Sequence, residues 1–138
     1  MKNFIFVILM VIHNFAWCIT PTDTSKSFNT LMYGVWAELF TSKGEILSYM
    51  VYVPEGKFHA FGYLDEEKQF YWFANGDWKM KDNQSCITFT FDSTGLMDLP
   101  EEFCVTVLSV TNDEFIYSDN HDGKIYTLKR VSTGYLNQ

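Results

Sequence analysis

From Tyr33 onward, short apolar and aromatic runs alternate with turn-forming residues at roughly eight- to twelve-residue spacing, the pattern of an all-β sandwich or barrel. No segment carries the apolar spacing of an amphipathic helix. The runs predict eight strands: Tyr33 to Thr41, Ile46 to Val53, Lys57 to Leu64, Phe70 to Lys81, Gln84 to Asp92, Glu102 to Thr111, Glu114 to Asp119 and Lys124 to Val131. The connections Ser42-Lys43-Gly44-Glu45, Pro54-Glu55-Gly56, Asp82-Asn83, Asn112-Asp113 and Asn120-His121-Asp122-Gly123 are short and rich in turn formers. Sequential strands are therefore expected to pair antiparallel. Asn75-Gly76 lies inside the long fourth run and predicts a bend or bulge, because glycine weakens pairing and permits a sharp change of direction.

An eight-strand meander leaves two unpaired edges unless it closes, and eight strands close into a barrel just wide enough for side chains or one small ligand. The expected fold is an all-β, eight-stranded antiparallel up-and-down barrel over residues 33–131. Alternate connections of such a barrel lie at the same end. Residues 42–45, 65–69, 93–101 and 120–123 share one rim, and the tight links 54–56, 82–83 and 112–113 share the other. This predicts an open mouth, where a site belongs, and a closed base. A hairpin of the fifth and sixth strands centred near Gly95 sets Cys86 opposite Cys104, close to disulfide reach. Two reduced buried cysteines or half of a metal site are the alternatives, and neither a C-x-x-C spacing nor a neighbouring histidine supports the metal.

At 138 residues, 47% hydrophobic and 20% charged, the chain has the length of one domain and the composition of a folded one. Aromatic residues make up 18%, which suits strands more than a small helical bundle. Residues 1–18 join Lys2 to an apolar stretch from Phe4 to Ile12, with Ala16 and Cys18 at small-x-small spacing. They read as a cleaved signal peptide, too short in its apolar part to span a bilayer, so the expected location is secreted or periplasmic. Cys18 leaves lipoprotein anchoring as a second choice, which Trp17 disfavours. Residues 19–32 then form an N-terminal linker and 132–138 a C-terminal tail.

The net charge of −7 becomes −8 once Lys2 is removed, which argues against nucleic acid as a partner. The acids gather at the expected mouth: Glu45, Asp65, Glu66, Glu67, Asp92, Asp98, Glu101, Glu102, Asp119 and Asp122, opposed mainly by Lys43, Lys68 and Lys124. Such a rim keeps an exported chain in solution, and it also steers a cationic ligand or a basic partner. Catalytic patterns are missing from the sequence. His13 falls in the signal, His59 lies mid-strand, His121 lies in a turn, and no nucleophile elbow, metalloprotease motif or P-loop occurs. Asp122-Gly123 is explained by a hairpin turn rather than a calcium loop. The expectation is a protein that is not an enzyme, with no metal and no cofactor.

The triplet Gly34-Val35-Trp36 on the first strand resembles the G-x-W that opens the first strand of the lipocalin superfamily. Arg130, in Tyr126-Thr127-Leu128-Lys129-Arg130-Val131, resembles the last-strand arginine that lipocalins place over that tryptophan at the closed end. Gly76-Asp77-Trp78, followed by Lys79-Met80-Lys81-Asp82-Asn83, is similar to the central G-x-W and hairpin of short bacterial lipocalin-like domains. The T-D-Y motif of larger lipocalins has no counterpart, and Ser132 to Gln138 is short and polar, so the resemblance is to the compact group. It implies that Gly34, Trp36 and Arg130 close the barrel base.

The resemblance also implies an exported binding protein for a small hydrophobic or amphipathic ligand at the mouth. The interior candidates are Phe40, Met50, Tyr52, Phe61, Tyr63, Trp78, Phe89 and Phe115, while Tyr49 and Tyr71 fall on the other face. An envelope protein that binds or inhibits a basic protein of the lysozyme type through its acidic rim, or a structural assembly protein, is the alternative.

Overall fold

A computed structural model describes residues 24–39, 44–63 and 67–132. The expected signal peptide, Phe40 and the tail from 133 lie outside the described residues. A short helix, α1 (Thr24–Met32), precedes eight strands: β1 (Gly34–Leu39), β2 (Ile46–Val53), β3 (Lys57–Tyr63), β4 (Tyr71–Lys81), β5 (Gln84–Asp92), β6 (Glu101–Val110), β7 (Glu114–Asp119) and β8 (Ile125–Ser132). The strands form a closed antiparallel barrel in sequence order, with β8 returning to β1. Strand ends depart from expectation by a residue or two.

The helix corrects the linker expected over 19–32. Phe28, Leu31 and Met32 follow the i, i+3, i+4 spacing of one helical face and pack on the barrel core, with Met32 fully buried. Nine residues are too few to hold a helix in water, so tertiary packing supplies its stability, and so short a segment gives little period to read.

Each strand turns alternate residues inward. Trp36, Tyr52, Phe58, Phe115 and Leu128 are fully or almost fully buried and fill the half of the barrel nearer the tight turns. Tyr52 sits at the centre of this packing, edge-on to Phe58, Trp78 and Phe115 with ring centroids 5.1, 5.3 and 6.1 Å away. The bulge expected at Asn75-Gly76 is present between β4 and β5. A Cβ at Gly76 would lie 2.3 Å from the Thr88 carbonyl oxygen, so glycine is what lets the two backbones approach there.

Cys86 and Cys104 face each other in the β5–β6 register and form a disulfide, with Cα atoms 4.1 Å apart. The bond staples the hairpin at a pair of half-buried positions. Within the described residues, no helix is long and apolar enough to cross a membrane.

Candidate functional site: an apolar cavity towards the mouth of the barrel

Gly34, Trp36 and Arg130 lie at the end of the barrel nearer the tight turns. Gly34 holds a φ of 125°, which side-chain-bearing residues rarely adopt. Trp36 pairs with Arg130 across the β1–β8 seam, and the guanidinium lies 4.0 Å from the indole centroid. Trp36 Nε1 donates to the Met32 carbonyl at 2.8 Å. Arg130 donates from Nη1 to Tyr33 O at 2.7 Å, from Nε to Asn112 O at 2.5 Å, and from Nη2 to Leu31 O. One side chain thus ties together the end of α1, the turn before β7 and Trp36.

Above this packed half lies a cavity of about 80 Å³. Tyr52 and Phe58 form its floor, Met50, Ala60, Ile87, Phe89, Val105 and Tyr117 its walls, and the half-exposed Trp72 and Phe103 its outer edge. Cavities of about 150 Å³ admit benzene. The enclosed volume is that of a short alkyl chain or part of a ring. Burial pushes the phenols of both Tyr52 and Tyr117 well above their ordinary pKa, so both are neutral donors. The Ser85 hydroxyl pulls Tyr52 the other way, although Ser85 Oγ makes no hydrogen bond of normal geometry.

Three of the expected interior residues, Met50, Tyr52 and Phe89, line this cavity. Trp36, Trp78 and Phe115 lie in the packed half beneath it, as core. Phe61 and Tyr63 are corrected: they face outward. On β3 the exposed Lys57 and His59 share their parity, and the buried Phe58, Ala60 and Gly62 take the interior. Phe61 stacks on Tyr49 at 5.1 Å and pairs with Phe73, which stacks on Phe91 at 5.3 Å. Tyr63 meets Tyr71 edge-on. These six rings form a patch on the outside of β2–β5. The cavity residues that sequence reasoning missed are Phe58, Ala60, Trp72, Ile87, Phe103, Val105 and Tyr117.

The rim is acidic but partly neutralised within the chain. Glu45 pairs with Lys68 at 2.6 Å, Glu102 with Lys79 at 2.7 Å and Asp122 with Lys124 at 2.8 Å. Asp92 is 8% exposed, and its carboxylate accepts from the backbone N–H groups of Thr94, Leu96 and Met97 and from the Thr94 hydroxyl. It is the anchor of the β5–β6 loop rather than a free rim charge. Asp65 and Glu66 lie outside the described residues. His59 Nδ1 lies 2.7 Å from Asn75 Oδ1 on the outer surface. Glu102 lies close to both cysteine sulfurs, but those sulfurs are bonded to each other and offer no thiolate to a metal.

Two solved structures share this architecture. A lipocalin-like protein from Bacteroides uniformis superposes with a TM-score of 0.54 at 13% identity, over 72% of this chain and 98% of that one. The chain has a lipocalin-like fold. An uncharacterized protein from Bacteroides eggerthii matches the same shares of the two chains at 18% identity and a TM-score of 0.50. Neither a family model nor a curated protein matches the sequence. Likeness at this level carries the lipocalin-like architecture alone.

Proposed function

We propose that this lipocalin-like barrel binds a small amphipathic molecule, its short apolar tail in the cavity floored by Tyr52 and Phe58 and its polar end in the mouth. The observation that carries the reading is the cavity itself. Its lining is almost wholly apolar, and filling it with a buried tail gains about 0.8 kcal/mol per methylene removed from water. The reading is of a binder rather than a catalyst. The Cys86–Cys104 disulfide supports work in an oxidising compartment, in keeping with an exported chain.

The test is titration of the oxidised protein with short-chain alcohols, followed by NMR shifts of Met50 and of the Trp72 indole. Saturable shifts confined to the cavity are expected, and Ala60→Phe, which places a ring in the cavity, is expected to abolish them while the barrel spectrum persists. Shifts unchanged in Ala60→Phe, or no saturable binding in the parent chain, would overturn the reading.

The outer aromatic patch favours self-association as a second reading. Tyr71, Phe73 and Phe91 are 59%, 46% and 43% exposed. At about 200 Å² per ring they leave roughly 300 Å² of aromatic surface in water, a size at which patches on monomers are often functional. A standard interface buries about 800 Å² per partner with an apolar centre, which this patch would supply to a second copy of the chain. Sedimentation at rising concentration tests it: a dimer lost in Phe73→Ser/Phe91→Ser supports the reading, and a strict monomer sinks it.

A further inference from the structure

Glu38 is an interior carboxylate that a purely apolar cavity does not explain. It lies on β1 two positions from the buried Trp36, with the same parity, and pairs in register with Ser48 on β2 and Leu128 on β8. Ser48 is 2% exposed and Leu128 fully buried, so both neighbours belong to the interior. Glu38 accepts one hydrogen bond at 2.8 Å from Ser48 Oγ, and among the described residues no lysine, arginine or histidine pairs with it. By contrast Glu45, Glu102 and Asp122 each hold a lysine, and Asp92 holds several N–H donors. A carboxylate drawn partly out of water without a cation costs free energy, and an apolar side chain would serve a filled barrel better at this position.

Glu38 does not itself line the cavity, but it lies close to residues that do. Met50, two residues beyond Ser48 on the same face of β2, lines it, and so does Tyr117, whose phenol feels the Glu38 charge. Tyr117 stacks on Tyr126 with centroids 5.3 Å apart, which adds aromatic surface, favourable to cations, to that wall of the cavity.

We propose that the cavity takes an amphipathic cation, a primary amine on a short alkyl or single-ring tail, with Glu38 as its counter-ion and Ser48 fixing the carboxylate. This rests on the reading of the cavity as a ligand site. The tail fills the space above Tyr52, and the ammonium group meets Glu38 at the mouth end of the Tyr117 wall. The acidic rim raises the local concentration of cations but selects none of them; Glu38 is the residue that selects.

The experiment compares n-hexylamine, 1-hexanol and hexanoate, equal chains that differ in the charge of the head group, by NMR titration of the oxidised protein at pH 7. The amine is expected to bind about tenfold more tightly than the alcohol, as a charge-assisted hydrogen bond in a partly dry site provides, and hexanoate most weakly. Glu38→Gln is expected to bring the amine to parity with the alcohol and leave the alcohol unchanged. Glu38→Asp, which keeps the charge, retains the order, and Glu101→Gln on the exposed rim retains the full preference. Hexanoate binding as well as the amine, or an amine preference that survives in Glu38→Gln, overturns the proposal. Alcohol and amine binding equally in the parent chain overturns it while the cavity stands as an apolar site. Failure of all three probes to bind overturns both.

Discussion

Replacing Arg130 by alanine removes the one side chain that joins α1, β1, β8 and the turn before β7. Its guanidinium covers the Trp36 indole at 4.0 Å and donates to the carbonyls of Tyr33, Asn112 and Leu31. A partly buried cation–π contact contributes about 1 kcal/mol. A hydrogen bond from a charged donor contributes about 1.5–3 kcal/mol net, but the three do not add, because carbonyls freed at the half-exposed base recover water. Arg130→Ala is expected to cost about 2–4 kcal/mol. Arg130→Lys keeps the charge over the ring and a bond to one carbonyl, and is expected to cost about half as much, because an ammonium group cannot present the forked donors. For a domain near 100 residues this lowers Tm by roughly 10–20 °C in the alanine variant. Urea unfolding of the oxidised proteins measures it, with an unchanged denaturant slope showing that the native fold is retained. An alanine variant within 0.5 kcal/mol of the parent would refute the closing role. A lysine variant equal to the parent would show that charge alone suffices and that the fork of donors adds nothing.

Three further outcomes test the frame around the site. Removing the disulfide by Cys86→Ala/Cys104→Ala is expected to cost up to about 3 kcal/mol, the loop-closure value for two residues separated by 18 positions, and equal urea midpoints for the pair variant and the parent would contradict it. Gly76→Ala is expected to destabilise by about 2 kcal/mol or more, since its Cβ meets Thr88 backbone at 2.3 Å and neither strand yields without breaking the bulge; a neutral melt would refute the close approach. The hydrogen bonds of Asp92, led by the one from the Thr94 side chain, hold its carboxyl below the usual carboxylate range. A depressed pKa stabilises the fold fully above the unfolded value of about 3.9 and loses that contribution as pH falls through the folded value. Thermal melts of Asp92→Asn are therefore expected to fall below the parent at pH 6 and to converge with it below about pH 4, and a gap constant with pH would refute the charge-based anchor.

The barrel was legible because its period-2 runs and turn residues are local signals, and the pairing of Cys86 with Cys104 followed from the even pair left in an exported chain together with hairpin arithmetic. The contact of Arg130 with Trp36 was suggested by the resemblance of Gly34-Val35-Trp36 and of the last-strand arginine to lipocalins, not by periodicity. The helix was not, because α1 has only nine residues and is held by contacts with strands far along the chain. The division of aromatic residues between interior and surface was half legible. On β3 the polar Lys57 and His59 mark the outward parity and would have turned Phe61 and Tyr63 out, but those two rings are as apolar as Phe58 and outweighed them.

What the one-dimensional pattern cannot hold is how the inward residues of different strands share a level. Trp72 on β4, Phe103 on β6 and Tyr117 on β7 line one cavity, a juxtaposition set by the registers of the strands between them, which shift at Asn75-Gly76 and between Val107 and Ser109. Glu38 illustrates the same divide. Its inward parity follows from Trp36 two positions earlier, within reach of sequence reasoning, whereas the lack of a cation beside it among the described residues depends on which strands flank β1 and at what height. Ser48 and Leu128 arrive there through pairings with β2 and β8, and neither carries a charge. A charge left unpaired by its described neighbours is information that exists only in three dimensions.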